Sequence, residues 1–107
     1  MDFGLVENYD GDCWHVILSG EVDIYNSAEM KTRLTALMRE HTADLHVDCR
    51  DLEYIDSTGL GALVGVFKFF KAHDKMMCLY NVKPNILKLF RITNLDKFFT
   101  IKEGRDE

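Results

Sequence analysis

The sequence of 107 residues is poor in the features that membrane proteins and metal proteins need. Its apolar runs are far shorter than the roughly 20 residues of a membrane-spanning helix. Its three cysteines are too far apart for a C-x-x-C pair and its four histidines are scattered, so no zinc site, redox pair or other metal site is predicted. We expect three small buried or half-buried thiols, at Cys13, Cys49 and Cys78.

Positive charge is also scarce, because 13 Lys and Arg stand against 18 Asp and Glu, which leaves a formal net charge of −5. An acidic protein repels the phosphates of nucleic acids, so nucleic-acid binding is not expected. The N-terminus is acidic and precedes no apolar signal-peptide stretch, which predicts a cytoplasmic protein. We expect a single domain over residues 1–107, with frayed ends at residues 1–3 and 103–107.

Short strand patterns and helix patterns alternate along the chain. The strand patterns cover residues 3–9, 14–19, 45–49 and 76–80, and the helix patterns cover residues 26–41, 57–73 and 85–91, with a helical turn at 95–99. Residues 20–23 are predicted to leave the sheet. This order predicts an α/β fold in which about four helices cover a mixed sheet of four to five strands. The first two strands are expected to form an N-terminal hairpin and the others to be parallel.

The helix that begins at Ser57 is apolar on two faces. The face predicted to lie against the sheet carries Leu60, Leu63, Val64, Phe67 and Phe70. The opposite face carries Ala62, Gly65, Val66 and Phe69. Two interpretations of this second face stay open: it is a contact surface for a partner, or it is buried under another helix.

The most informative stretch runs from Asp51 to Gly61 and places the hydroxyl of Ser57 in the first turn of this helix. In one interpretation Asp56 or Ser57 caps the helix, and the two glycines that follow allow close packing against the sheet. In the other, Ser57 is presented to a modifying enzyme, and Gly59 and Gly61 let the backbone of another protein approach. The residues alone do not decide between the two.

Three segments, residues 20–33, 51–71 and 83–101, resemble the STAS domain of bacterial anti-sigma factor antagonists. The sequence Gly-Glu-Val-Asp at 20–23 is similar to a turn of that family. The sequence Tyr-Ile-Asp-Ser-Thr-Gly-Leu-Gly at 54–61 resembles its phosphorylation loop, in the form typical of antagonists in the general-stress sigma factor system. Residues 89–95 resemble its C-terminal signature, with Asn94 where glycine is commoner; asparagine also adopts the left-handed conformation.

The resemblance implies a non-enzymatic switch that needs no cofactor and works as a monomer. The unphosphorylated domain would bind an anti-sigma factor that is also an ATP-dependent serine kinase, and this binding would free the sigma factor. Phosphorylation of Ser57 would end the binding, and a PP2C-like phosphatase would restore it. The partner-binding residues implied are Glu21, Asp23, Asp56, Ser57, Thr58, Gly59 and Gly61.

A STAS accessory subunit of a membrane lipid-transport complex is the first alternative, although the intact Asp-Ser-Thr-Gly sequence argues against it. A nucleotide-binding protein would need a P-loop, which the sequence lacks. An esterase that uses Ser57 would need a base supplied from elsewhere in the chain. Thr58 is a possible second phosphate acceptor or a hydroxyl bonded locally in the first turn.

A basic cluster marks the C-terminal part of the chain. It consists of Lys83, Lys88, Arg91 and Lys97. The cluster is either a solvated face, with its charges in water or paired with carboxylates, or a surface that binds an acidic partner.

Overall fold

The computed structural model describes residues 2–102, which form one layer of strands with helices packed against it. The strands are β1 (Phe3–Tyr9), β2 (Cys13–Val22), β3 (Asp44–Asp48), β4 (Leu52–Ile55), β5 (Met77–Tyr80) and β6 (Thr100–Lys102). The helices are α1 (Ser27–Glu40), α2 (Ser57–Ala72) and α3 (Pro84–Ile92), and a single 3-10 turn covers Leu95–Lys97.

The sheet is mixed, as the sequence predicted. Its strand order is β1-β2-β3-β5-β6, and β4 pairs with the far end of β2. The β1–β2 hairpin is antiparallel, whereas β2–β3, β2–β4, β3–β5 and β5–β6 are parallel. The C-terminal ends of the parallel strands therefore lie toward one edge, and the loops into α1, α2 and α3 leave from that edge.

The core lies between this sheet and the helices. Alternate residues of β2 and β3 are fully buried, Leu18 and Val47 among them, because successive side chains of a strand point to opposite faces. The helices bury one stripe each, with Leu34 of α1 and Phe70 of α2 completely inaccessible. Burying one such side chain stabilises the fold by roughly 1.5–3 kcal/mol.

The prediction that residues 20–23 leave the sheet is wrong for the first three of them. Gly20, Glu21 and Val22 remain in β2 and pair with β4. The register shifts between Gly20 and Glu21, and Gly20 has a φ of +83°. This irregularity bends β2 so that it continues along β4 after its pairing with β3 has ended.

Further corrections concern short elements and one chain end. The sequence patterns did not predict β4 or β6, so residues 2–102 contain six strands instead of four to five, and the fourth predicted helix is only the 3-10 turn. Asn94 before that turn is left-handed, with a φ of 60°, as its residue type allows. The expected fraying of residues 1–3 is wrong at Phe3, which belongs to β1, and the Asp2 carbonyl accepts a hydrogen bond from the Glu21 N–H at 2.8 Å. Met1 and residues 103–107 lie outside the described residues.

The second apolar face of α2 is covered in part by α1. Val66 is completely buried, and the side chain of Lys31 in α1 lies over Gly65, where an added Cβ would come within 2.8 Å of the lysine Nζ. Ala62 and Phe69 are half-buried. Val66 is therefore part of the core, and the contact with another helix is established at Gly65, through Lys31.

Two other findings bear on the expectations from composition. Cys13 is half-buried and Cys49 and Cys78 are buried, which confirms the expected burial. Within residues 2–102, no helix combines the length and the apolar character required to cross a membrane.

Candidate functional site

The start of α2 is organised by Asp56. Its backbone is extended, and its Oδ1 accepts a hydrogen bond from the Gly59 N–H at 2.9 Å, which satisfies one of the free N–H groups of the first turn. Asp56 is thus the capping residue, and Ser57 is the first residue of the helix proper. The side chains of Ser57 and Thr58 are exposed to solvent. The cap fixes the backbone beneath a hydroxyl that another protein can reach.

The two glycines of the motif have different surroundings. Gly59 is buried, and a Cβ there would lie 2.6 Å from Ile55 Cγ1 and 2.9 Å from Val22 Cγ1. Gly61 is exposed, and a Cβ there would meet no atom within 4 Å. Gly59 therefore allows α2 to pack closely on the sheet, whereas Gly61 leaves a low, open surface beside Ser57.

Asp23 organises the loop between β2 and α1. It is only 7% exposed, its N–H donates to Asn26 Oδ1 at 2.8 Å, and its Oδ1 accepts from the Tyr25 N–H at 2.9 Å. The Asn26 amide also donates from Nδ2 to the Glu21 carbonyl at 2.9 Å, so the Asn26 side chain closes the loop instead of capping α1. The loop is held by an Asx turn, and its carboxylate is buried instead of solvated.

The backbone joins this loop to the Ser57 site. The Asp56 N–H donates to the Val22 carbonyl at 3.2 Å, and Glu21 pairs with Tyr54 across the β2–β4 ladder. The predicted site residues of the two loops are consequently brought together at one edge of the sheet.

Three exposed apolar side chains near this edge were not identified from the sequence. Ile24 and Tyr25 in the β2–α1 loop are 65% and 93% exposed, and Tyr54 of β4 is 45% exposed. Large apolar side chains in water are typical of contact surfaces. The available signal was an Ile-Tyr pair inside a turn that should otherwise be polar. We define Ser57, Gly61, Ile24, Tyr25 and Tyr54 as the switch surface.

The histidines are all engaged away from Ser57. His15 Nε2 lies 2.6 Å from Asp10 Oδ2, His46 Nδ1 lies 2.9 Å from the Tyr80 hydroxyl, and the His41 ring stacks on Tyr9. His73 follows the last residue of α2, and its Nδ1 lies 2.9 Å from a carbonyl oxygen of that helix. The described residues thus give Ser57 no histidine base of the kind that a nucleophilic serine needs.

Comparison with known proteins gives the same assignment as the motifs. A family model described as the STAS domain matches residues 7–107. A relative from Staphylococcus epidermidis, named anti-sigma-B factor antagonist, is 36% identical over 95 residues, which cover 89% of this chain and 88% of the relative.

Solved structures share the fold. The anti-sigma factor antagonist SpoIIAA in its unphosphorylated form gives a TM-score of 0.81 at 16% identity and covers 96% of this chain and 90% of that chain. The Bacillus cell fate determinant SpoIIAA in the phosphorylated form gives 0.74 at 16% identity, over 96% and 93% of the two chains. With the family model, the relative and the fold in agreement, the chain belongs to the STAS-domain family of anti-sigma factor antagonists.

Proposed function

We propose that this protein is a phosphorylation-controlled switch in a sigma factor pathway. The unphosphorylated protein binds, as a cytoplasmic monomer, an anti-sigma factor that is also an ATP-dependent serine kinase, and the sigma factor is released. The kinase phosphorylates Ser57, the complex separates, and a PP2C-like phosphatase removes the phosphate. The protein itself catalyses no reaction and holds no cofactor, because ATP belongs to the kinase.

The observation that carries this proposal is the position of Ser57. Its side chain is exposed on the first residue of α2, directly after the capping Asp56. A kinase has to bring a serine hydroxyl into its own active site, so a hydroxyl on an ordered, projecting helix start is a suitable acceptor. Thr58 is exposed as well, and we expect it to remain unmodified.

Phosphorylation at this place leaves the fold intact. A phosphoserine adds about −1.5 to −2 charges, and it would stand at the N-terminus of α2, where free N–H groups and the helix dipole favour an anion. We therefore expect the added charge to weaken the binding of the partner and to leave the domain folded. Against a partner carboxylate at ~4 Å, one unit charge costs about 4 kcal/mol at an effective dielectric of 20, which is on the order of 1,000-fold in affinity.

The switch surface suits a protein partner. Tyr25 and Ile24 provide exposed apolar area, and aromatic residues are common among the side chains that dominate binding energy in interfaces. Gly61 leaves room for the partner's backbone. Asp23 supports the surface from within through its hydrogen bonds to the loop, and Glu21 lies beside it in β2.

The relatives support the pathway. The Staphylococcus relative is named anti-sigma-B factor antagonist, and the two SpoIIAA structures are of an unphosphorylated and a phosphorylated form. We infer the same kind of control here, at Ser57.

The decisive experiment incubates the purified protein with ATP and the anti-sigma kinase of the same genome. We expect a mass increase of one phosphate, mapped to Ser57 by peptide sequencing. Ser57→Ala should remain unmodified and still bind the kinase, and Thr58→Ala, the matched neighbour, should be phosphorylated normally.

Two results would contradict the proposal. One is phosphorylation of Thr58 in the Ser57→Ala variant, followed by normal separation from the kinase. This result would show that Thr58, and not Ser57, is the controlling residue. The other is no phosphorylation by any such kinase together with stable association with a membrane transport complex, which would establish the accessory-subunit function.

A further inference from the structure

The charges of this protein are divided unequally along the chain. Residues 82–102 contain five Lys and Arg and one acid, Asp96, a net charge of +4. Residues 2–81 contain seven Lys and Arg and fourteen acids, a net charge of −7. The net positive charge therefore lies in the segment that contains α3, the 3-10 turn and β6, whereas the segment before it is acidic.

A cavity of about 290 Å³ opens in this positive region. Its apolar walls are Val82, Pro84, Leu87 and Ile101, and its polar lining is Asn81, Arg91 and Lys102. Among the described residues, no acid lines it. A cavity with aliphatic walls and two cations at its border suits a ligand that combines an apolar group with carboxylates.

The two cations are available for such a ligand. None of the ion pairs within residues 2–102 includes Arg91 or Lys102, and both side chains are exposed. Lys88 stands three residues before Arg91 on α3 and so lies on the same side of the helix.

Two acids contact residues in or next to the lining of the cavity. Glu53 Oε2 lies 3.8 Å from Lys83 Nζ, and Asp48 Oδ1 accepts from Asn81 Nδ2 at 3.1 Å. Neither carboxylate is among the lining residues, so within residues 2–102 the charged groups of the lining are Arg91 and Lys102.

We propose that this cavity is a second docking site, which binds an acidic peptide segment of a protein partner. An aliphatic or aromatic side chain of the segment fills the cavity, and flanking Asp or Glu residues pair with Arg91, Lys102 and Lys88. The site does not include Ser57 and does not depend on the proposed switch. The Lys83–Glu53 pair links α3 to β4, the strand that leads into the switch surface, so one large partner can contact both.

A peptide fits these observations better than an anionic membrane does. A membrane offers a flat layer of headgroups and is met by protruding apolar side chains. Leu89, Ile92 and Phe98 of this segment do protrude, but none of them lines the cavity, which is a recess large enough for a side chain. The remainder of the protein, with its net charge of −7 over residues 2–81, would also be repelled by an anionic bilayer.

The test uses three synthetic ten-residue probes: one with Leu and Phe between Glu residues, one with Ser in place of Leu and Phe, and one with Lys in place of Glu. Binding is followed by NMR of the ¹⁵N-labelled protein. We expect the first probe to shift amide signals in residues 81–91 and 101–102, and the Ser probe to bind at least tenfold more weakly. The Lys probe should leave these signals unchanged.

Charge reversal supplies the matched control. We expect Arg91→Glu with Lys102→Glu to weaken the first probe at least tenfold. The pair Arg39→Glu with Lys68→Glu changes the net charge equally at exposed sites in residues 2–81, and it should change affinity less than threefold. The Ser57→Ala variant should bind the probe like wild type, which keeps this test separate from that of the switch.

The proposal would be overturned in favour of unspecific attraction if the two charge-reversed pairs lost the same affinity for the first probe. It would also be overturned if the Leu/Phe probe and the Ser probe bound equally well. Shifts confined to other parts of the chain would overturn it as well. Binding to phosphatidylglycerol vesicles through Arg91 and Lys102, without binding of the first probe, would show that the surface meets a membrane instead.

Discussion

The backbone N–H of Asp56 donates a 3.2 Å hydrogen bond to the carbonyl oxygen of Val22, which ties the residue before Ser57 to the last residue of β2. Through this bond the turn into α1 and the turn into α2 are one structural unit. A phosphate on Ser57 would therefore stand on a rigid support, and the exposed Ile24 and Tyr25 follow directly on the strand end to which this support is bonded. Rigidity suits a switch in which the charge changes and the surface stays the same.

We predict that Gly59→Ala destabilises the protein and that Gly61→Ala does not. At Gly59 the new Cβ would lie 2.6 Å from Ile55 Cγ1, and overpacking of this kind costs roughly 1–3 kcal/mol, more than alanine gains in a helix. At Gly61 the Cβ meets open space, so alanine should stabilise α2 by up to about 1 kcal/mol. Urea unfolding of the two variants measures the difference.

A lower free energy of unfolding for Gly61→Ala than for Gly59→Ala would contradict the assignment of Gly59 to packing. Kinase binding gives a second readout, because Gly61 lies on the switch surface. There Gly61→Ala should weaken binding although it folds well, since the partner's backbone loses its space.

The sequence predicted the long elements and failed at the short or bent ones. Helix α2 was placed correctly because its apolar residues recur at helical spacing over four turns. Strand β4 was missed because its four residues are buried only at the ends, which hides the alternation of a strand. Strand β2 was ended too early because Gly20 reads as a turn signal, whereas it is the bulge that carries the strand on to β4.

The geometry of the candidate site was predicted only in part. The motif placed Ser57 in the first turn of α2 and offered Asp56 or Ser57 as the cap, and the structure shows that Asp56 is the cap. The roles of Gly59 and Gly61 could not be separated, because only the packing of α2 on the sheet decides which glycine faces Ile55. The exposure of Tyr25 also depends on how the loop folds, and an aromatic residue in a sequence is ordinarily assigned to the core.

We predict that Ser57→Asp folds like wild type and binds the kinase more weakly. The new carboxylate stands in the first turn of α2, where the helix dipole favours a negative charge, so the melting temperature should change by no more than about 2 °C. Binding measured by calorimetry should weaken at least tenfold, and Ser57→Asn, of the same shape without the charge, should weaken it less. Tight binding by Ser57→Asp and also by the authentic phosphoprotein would refute release by charge.

We predict that Asp10 contributes to the acid unfolding of the β1–β2 hairpin. Hydrogen bonds from the Cys13 and Asp12 N–H groups, and then His15, lower the pKa of Asp10 from 3.8 to about 2. Because the folded state holds the ionised form, this stabilisation is complete above pH ~4 and is lost as the pH falls toward 2. Asp10→Asn should be less stable than wild type at pH 6, and the difference should shrink between pH 4 and pH 2. Urea midpoints across this range measure it, and parallel profiles for the two proteins would count against the assignment.

We predict that the three cysteines react with iodoacetamide in a fixed order. Burial, with a smaller contribution from the charge of Asp48, raises the pKa of Cys49 to about 12, whereas Cys13 is half-buried at the start of β2. The thiolate is the reactive form, so at pH 8 Cys49 has roughly 1,000-fold less of it than an ordinary cysteine.

In the native protein Cys13 should be modified first and Cys49 only as fast as the fold opens. In urea all three should react at similar rates, which controls for sequence context. Peptide mapping over time gives each rate, and modification of Cys49 in the native protein as rapid as that of Cys13 would mean that the Cys49 thiol is accessible, contrary to its position in the core.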